Sequence, residues 1–403
     1  MTGAIAGDYE VAIIGLGGLG SATAYWLARA GVRVAAFEQF ELGHVRGASH
    51  DHSRIIRRSY HTQSYVELTA EAYEAWAAVE ADGDATIITR TGGIDLFPAD
   101  AAIDPRPYRS SLDAVGVPYE WIDAQEIRRR WPAFDRGTIV NENVSAIYSA
   151  DTGIVPAGAA TAELQRLAAE HGAALFEHTP IRSVRDLGGE IALVVERDGR
   201  KQSVRAGAIV VCADAWTNQL LSHLDLQIPL AVLREQVSYF PVRTGGPGLD
   251  DLTIGRFPVW IWMHDPSFYG FPVYGVTDAT KGAEDCGGFE VDPDRRTFDP
   301  DATMERRLGE FMAGLVGDRF DSPRTTTCLY TLTSDRDFVL DRLPGAPRVS
   351  MALGAAHGFK FAAWIGRELA ALAQGAPARA ELSPFAFDRP GLHTPIDRAA
   401  WMV

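Results

Sequence analysis

The chain has 403 residues, 46% of them hydrophobic, and carries 38 Lys plus Arg against 53 Asp plus Glu, a formal charge of −15. That length suits two domains with ample core rather than one. The acidic balance argues against nucleic acid or an anionic membrane as partner, because both attract basic surfaces. A small acidic ligand is not excluded, since a few buried cations can dominate a cleft.

The first strand is reached within nine residues, without a basic n-region or an apolar h-region, so no secretory signal is expected. No run approaches the apolar length of a membrane span. Cys212, Cys286 and Cys328 are odd in number and lack metal-type spacing, which predicts free thiols in a reducing cytoplasm and no metal site.

Residues 9–14 form an apolar run that reads as a buried strand, and it leads into Gly15-Leu16-Gly17-Gly18-Leu19-Gly20. A helix is predicted over 21–29 and a second strand over 32–37, closed by Glu38. In this order Gly15 permits a tight turn, Gly17 a close approach to a pyrophosphate, and Gly20 close packing of helix on strand. Free N–H groups and the dipole at the helix start favour the anion, and Glu38 is placed for ribose hydroxyls. The alternative is a glycine turn in a βαβ unit with no ligand.

A segment rich in Gly, His and Arg follows over 43–60, then a helix over 62–81 whose apolar residues recur at three and four. Residues 87–97 read as a strand pair turning at Thr91-Gly92-Gly93, and 123–131 as a short helix. A helix is predicted over 157–170. Strands follow over 174–177, 191–196 and 202–205, the last two joined by Asp198-Gly199 as a hairpin. The apolar run 208–212 reads as a separate buried parallel strand, with a helix over 215–221.

Residues 236–240 and 259–274 read as strands of a second sheet, the latter dense in Trp260, Trp262, Phe268, Tyr269, Phe271 and Tyr274, any of which is equally read as sandwich core or sheet face. A helix over 303–315 precedes a strand over 325–331. Residues 349–353 form a buried strand, followed by Gly354-Ala355-Ala356-His357-Gly358-Phe359-Lys360 and a helix over 361–373. This second strand–loop–helix unit offers another helix start to a ligand. The dinucleotide domain is therefore expected in pieces, 1–85, 151–222 and 328–403, with a substrate domain over 86–150 and 223–327.

Several motifs occur in order: Gly15 to Gly20, Ser49-His50-Asp51-His52-Ser53-Arg54-Ile55-Ile56-Arg57, Ala215-Trp216, Tyr269-Gly270-Phe271-Pro272, Thr327-Cys328-Leu329-Tyr330-Thr331 and His357-Gly358-Phe359-Lys360-Phe361. Together they resemble the monomeric sarcosine oxidase and N-methyltryptophan oxidase family, within the wider D-amino-acid oxidase and glycine oxidase fold. The likeness runs over nearly the whole chain. It implies an α/β (α+β) architecture: an FAD-binding Rossmann-like domain of the D-amino-acid oxidase type, with a second, mixed or antiparallel sheet as substrate domain. It implies FAD joined to a cysteine through a thioether, a small amino-acid substrate, dioxygen as acceptor and a monomer.

By the same resemblance Cys328 is the flavin-linking cysteine, although by itself it would read as a buried small hydrophobe. Gly15, Gly17, Gly20, Glu38, Ser53, Arg54, Ile181, His357, Gly358 and Lys360 are the expected cofactor contacts. Arg57 and Lys360 would hold the substrate carboxylate, a guanidinium offering it a bidentate fork. A lysine at a helix start is electrostatically misplaced unless an anion is near, either the carboxylate or the reduced flavin pyrimidine. Tyr269 and Tyr330 would line the pocket, or else be core. His50 and Arg54 would sit by the flavin, and Lys281 would activate dioxygen electrostatically, against the plainer reading of a surface loop lysine.

Two positions depart from the family. Asp285 stands where a histidine is usual, and Ala356 where glycine commonly precedes His357. With Trp260 and Trp262 expected nearby, these departures predict a substrate shape other than that of sarcosine itself. The reaction implied is oxidation of a secondary amino acid, N-methylated first and cyclic (proline or pipecolate type) second, to an imine and hydrogen peroxide. A dehydrogenase with another acceptor is the rival.

Overall fold

The computed structural model describes residue 5 and residues 8–243 and 248–397. Two large sheets and one small one organise it. The first strand, Asp8–Ile14, is buried over its last four residues and pairs in parallel with Val34–Phe37 on one side and Arg200–Val211 on the other. Ala174–Phe176 and Ala346–Leu353 extend this parallel core. Both faces are covered, so its strands are continuous apolar runs rather than alternating ones. Full burial of each such aliphatic side chain stabilises the fold by about 1.5–3 kcal/mol.

The strand Arg200–Val211 corrects one expectation. The predicted strands 202–205 and 208–212 are a single 12-residue element. Its first half closes the Asp198-Gly199 hairpin against Ile191–Arg197, while its second half runs parallel to Asp8–Ile14 and Ala346–Leu353. One strand thus belongs to an exposed hairpin and to a buried core, and its hydropathy changes midway.

The second sheet has nine strands, antiparallel except for Gly93–Pro98 beside Val259–Trp262. Its longest strand, Ala231–Pro241, lies near one edge, between Ala279–Glu284 and Arg324–Leu332. The predicted strand pair over 87–97 does not form. Thr89–Arg90 joins Gly153–Val155 in the small sheet, whereas Gly93–Pro98 joins the second sheet. Gly92, at φ +67°, redirects the chain into another sheet instead of reversing it. The expected boundary at 328 falls inside Arg324–Leu332, which pairs with the second sheet along its whole length; the chain re-enters the first sheet at Val339–Leu343.

The helices Gly18–Arg29, Gln63–Gly83, Ala157–Glu170, Ala302–Val316 and Ala362–Ala373 lie within a few residues of their predicted spans. The helix predicted over 215–221 is a short 3₁₀ turn followed by Thr217–Leu221. The first and last of the five long helices pack so closely that a Cβ on Gly366 would lie 2.5 Å from that of Ala22. No helix among the described residues is long and apolar enough to cross a membrane.

Candidate active site

The parallel strands end together, and their C-terminal ends open into a trench, as open α/β sheets place their ligands. Two cavities meet there through Gly17, Ala48, Ser49, Cys212 and Asp214, which line both. Gly15, Glu38 and Ile181 line the first half. Arg54, Arg57, Tyr269, Tyr330, His357, Gly358 and Lys360 line the second.

The glycine turn is built for a close ligand. Gly15 has φ +95°, and a Cβ there would come within 2.3 Å of the Cys212 carbonyl oxygen. A Cβ on Gly20 would meet the Gly15 carbonyl oxygen at 1.9 Å, so Gly20 fixes helix on strand and does not itself line the trench. No side chain of the cap residue Gly17 closes the start of the helix Gly18–Arg29, although the Gly18 N–H donates to Ser49 Oγ at 2.8 Å. Glu38 accepts from the Leu16 N–H at 2.9 Å and the Phe40 N–H at 3.1 Å. Burial raises its pKa, but hydrogen bonds from His44 and these amides outweigh that and hold it below the usual value. It stays an ionised acceptor facing the cavity.

The second half is ringed by cations. Arg57 Nη1 lies 3.4 Å from both oxygens of buried Asp95, which also accepts from Ser59 Oγ at 2.5 Å. The Tyr60 ring lies under it, 5.0 Å from the guanidinium. Arg336 donates to both oxygens of Asp285 at 3.0 and 2.8 Å, and both residues line the cavity. Arg54 lies 3.6 Å from Asp51. Lys360 is different: its Nζ donates to the His357 carbonyl oxygen at 3.2 Å, and no carboxylate lies within ion-pair distance of it among the described residues. Burial, with Arg57 and Arg336 nearby, lowers its pKa to about 7. Tyr269 and Tyr330 face each other, hydroxyl to hydroxyl, at 3.0 Å.

His50, Ser53, Lys281 and Cys328 are all buried but do not line the trench. Lys281 is no surface lysine. It is 2% exposed on the strand Ala279–Glu284, and its Nζ donates to Asp51 at 2.6 Å and to the Ser53 carbonyl and hydroxyl at 3.0 Å. Burial lowers it to about 8, partly offset by Asp51. His50 is lowered to about 4 by burial and by Arg54, so it is neutral. Cys328 sits opposite Glu235 in the second sheet, and burial pushes its thiol up to about 11.

Trp260 and Trp262 correct the sequence reading. They point into the core of the second sheet, stacked around Phe311, and the residue between them, Ile261, faces the cavity. The alternation of a strand decides this. The sequence reading also passed over Asp51, Asp95, Asp214 and Arg336. Asp95 did leave a trace, a lone acid between Ile94 and Leu96 in an otherwise apolar strand. Such a residue must be paired where it is buried.

The residues fit a flavin dinucleotide: a glycine cradle, an ionised acid at Glu38, a continuous trench, and, on its wall, the buried atoms Asp214 Oδ2 and His357 Nδ1, which have no hydrogen-bond partner among the described residues. Residues 10–372 match the DAO family of FAD dependent oxidoreductases. The monomeric sarcosine oxidase of Bacillus sp. (strain NS-129) is 28% identical over 393 residues, covering 95% of this chain and 97% of that protein. That of Streptomyces avermitilis is 34% identical over 382 residues, covering 91% and 93%. The fold is similar to that of NikD, an unusual amino acid oxidase essential for nikkomycin biosynthesis, with TM-score 0.82 at 23% identity over 94% of this chain and 98% of the other. A glycine cradle, a cation-ringed pocket and a family match over most of its length make this chain a member of the FAD dependent oxidoreductases, an enzyme that uses FAD.

Proposed function

We propose that this enzyme oxidises secondary amino acids, with N-methyl amino acids as its first substrates, and passes the electrons to dioxygen. FAD, when bound, supplies the hydride acceptor and the reaction with oxygen. The chain's own residues select and aim the substrate. Lys360 and Arg57 take the carboxylate; each charge-assisted hydrogen bond contributes about 1.5–3 kcal/mol. Asp285, oriented by Arg336, accepts from the amine N–H. Tyr269 and Tyr330 close one wall and keep water from the reacting carbon. The amine must be neutral when C–H cleavage begins, so its second proton has to leave first.

The observation that carries this reading is Lys360, a cation at a helix start with no carboxylate within ion-pair distance among the described residues. Such a lysine calls for an anionic guest. The test is anaerobic flavin reduction with a panel of N-methyl, cyclic and primary amino acids. Bleaching by N-methyl substrates, and peroxide formed in step with turnover in air, is the expected result. No bleaching by any secondary amino acid would defeat the proposal, and turnover that needs an artificial acceptor would replace oxidase with dehydrogenase.

We further propose a thioether between Cys328 and the flavin. Its support is the match to the family's linking cysteine, together with burial beside Arg54, Lys281 and Tyr330. Acid precipitation should leave the wild type yellow and C328S colourless; equal release from both would remove the covalent bond from the reading.

A further inference from the structure

Asp214 bears two costs at one position. It sits at the end of the strand Arg200–Val211 with φ +44°, in the left-handed region that suits glycine. Its Oδ2 is buried with no hydrogen-bond partner at bonding distance among the described residues, although the Thr331 hydroxyl and the Ala215 N–H act on the same carboxyl. Strain and an unmet acceptor in the same residue mark a place where function overrides packing. The location says which function. Asp214 lines both cavities at the neck where they join, between the glycine turn and the flavin end.

Whatever passes that neck must satisfy an acceptor. A carboxylate has no proton to give, so its guest must be a donor. In a flavin dinucleotide the pyrophosphate offers only acceptors and the isoalloxazine lies beyond the neck. The segment between them is the ribityl chain, a run of hydroxyls. Burial raises the Asp214 carboxyl to about 6, partly offset by Thr331 and the Ala215 N–H, which leaves it ionised and accepting at neutral pH.

We infer that Asp214 receives a hydrogen bond from a ribityl hydroxyl of FAD and thereby fixes the flavin's depth in the trench. The inference rests on FAD binding, not on the choice of substrate. It predicts effects of opposite sign for D214G: the backbone strain and the orphaned oxygen vanish from the empty protein, while a contact is lost from the loaded one.

The experiment uses the full chain in a C328S background, freed of flavin. FAD, riboflavin and lumiflavin, which lacks the polyol, are titrated by fluorescence quenching, and melting is followed without ligand. D214G should weaken FAD and riboflavin about tenfold or more, leave lumiflavin unchanged, and raise the melting temperature of the empty protein. D214N, which keeps an acceptor oxygen, should lose less. Equal affinities in D214G and its parent would overturn the inference, as would a loss that includes lumiflavin. Failure of the parent to bind FAD at all would instead strike the cofactor assignment beneath it.

Discussion

At the scale of single residues, the pocket is a set of cations each assigned a partner, with one exception. Arg54, Arg57 and Arg336 each have a carboxylate within ion-pair distance, and Lys360 has none at that distance among the described residues, Asp285 and Asp95 acting on it only from farther off. Replacing Lys360 by Met should therefore remove substrate binding rather than fold. A loss of one charge-assisted bond, about 1.5–3 kcal/mol, converts to roughly tenfold to a hundredfold in kcat/KM. Steady-state kinetics with the best N-methyl substrate measures it, and an unchanged KM would contradict the role. The lowered pKa adds a pH signature. The group binds an anion only while protonated, so affinity is full below about 7 and falls as pH rises through that value in the empty site. A carboxylate analogue lacking the amine, titrated by its perturbation of the flavin spectrum, should bind more weakly at pH 9 than at pH 6. K360M should flatten that dependence. The second residue-scale expectation concerns Arg336 and Asp285, whose side chains are 4% and 22% exposed. Breaking such a pair from one side costs about 3–5 kcal/mol, while removing both charges costs less. R336M should melt well below wild type, and R336M/D285L should recover part of the difference.

At the scale of elements, most of the first sheet was legible because its strands are short, apolar and bounded by glycine. Gly15, Gly17 and Gly20 announced the turn from the first strand into the helix Gly18–Arg29. What failed did so for a physical reason. Residues 87–97 carry two apolar runs around a glycine pair, and only the core beyond them decides that Ile87 and Ile94 belong to different clusters. The Arg200–Val211 strand hid its continuity because one half is solvated and the other buried. In the site, Arg57 and Cys328 were nominated by the family resemblance, and Lys360 also by its place at a helix start. The carboxylates that pair with Arg57, Lys281 and Arg336, namely Asp95, Asp51 and Asp285, come from remote elements, and nothing local in the chain announces those pairings. The helix pair Gly18–Arg29 and Ala362–Ala373 yields a prediction at this scale. A Cβ on Gly366 would lie 2.5 Å from that of Ala22 and 2.7 Å from the Thr23 nitrogen. Overpacking of this kind costs about 1–3 kcal/mol. G366A should lower the melting temperature and, by shifting the helix that carries the glycine turn, reduce the flavin retained through purification. A melting temperature equal to wild type would show that the helices can part without cost.

At the scale of the molecule, the acidic surface and the cationic pocket coexist because the positive charge is interior. The formal charge of −15 does not describe what a carboxylate meets inside the trench. The two large sheets are also not independent, since Phe97, Ile147 and Met263 share a core cluster with the helices over the first sheet. The position of Cys328 adds to this. It stands on Arg324–Leu332 in the second sheet, whereas the glycine turn belongs to the first. A flavin bonded to that thiol becomes a staple across the seam, held at one end by dipoles and at the other by a carbon–sulfur bond. A ligand free to leave stabilises its host by an amount set by its concentration, about 2.7 kcal/mol at a hundred times Kd. A stapled one is indifferent to dilution. With the proposed bond at Cys328, wild-type melting should ignore added FAD while that of C328S climbs with each increment, and a protein so tethered could not be starved of its cofactor.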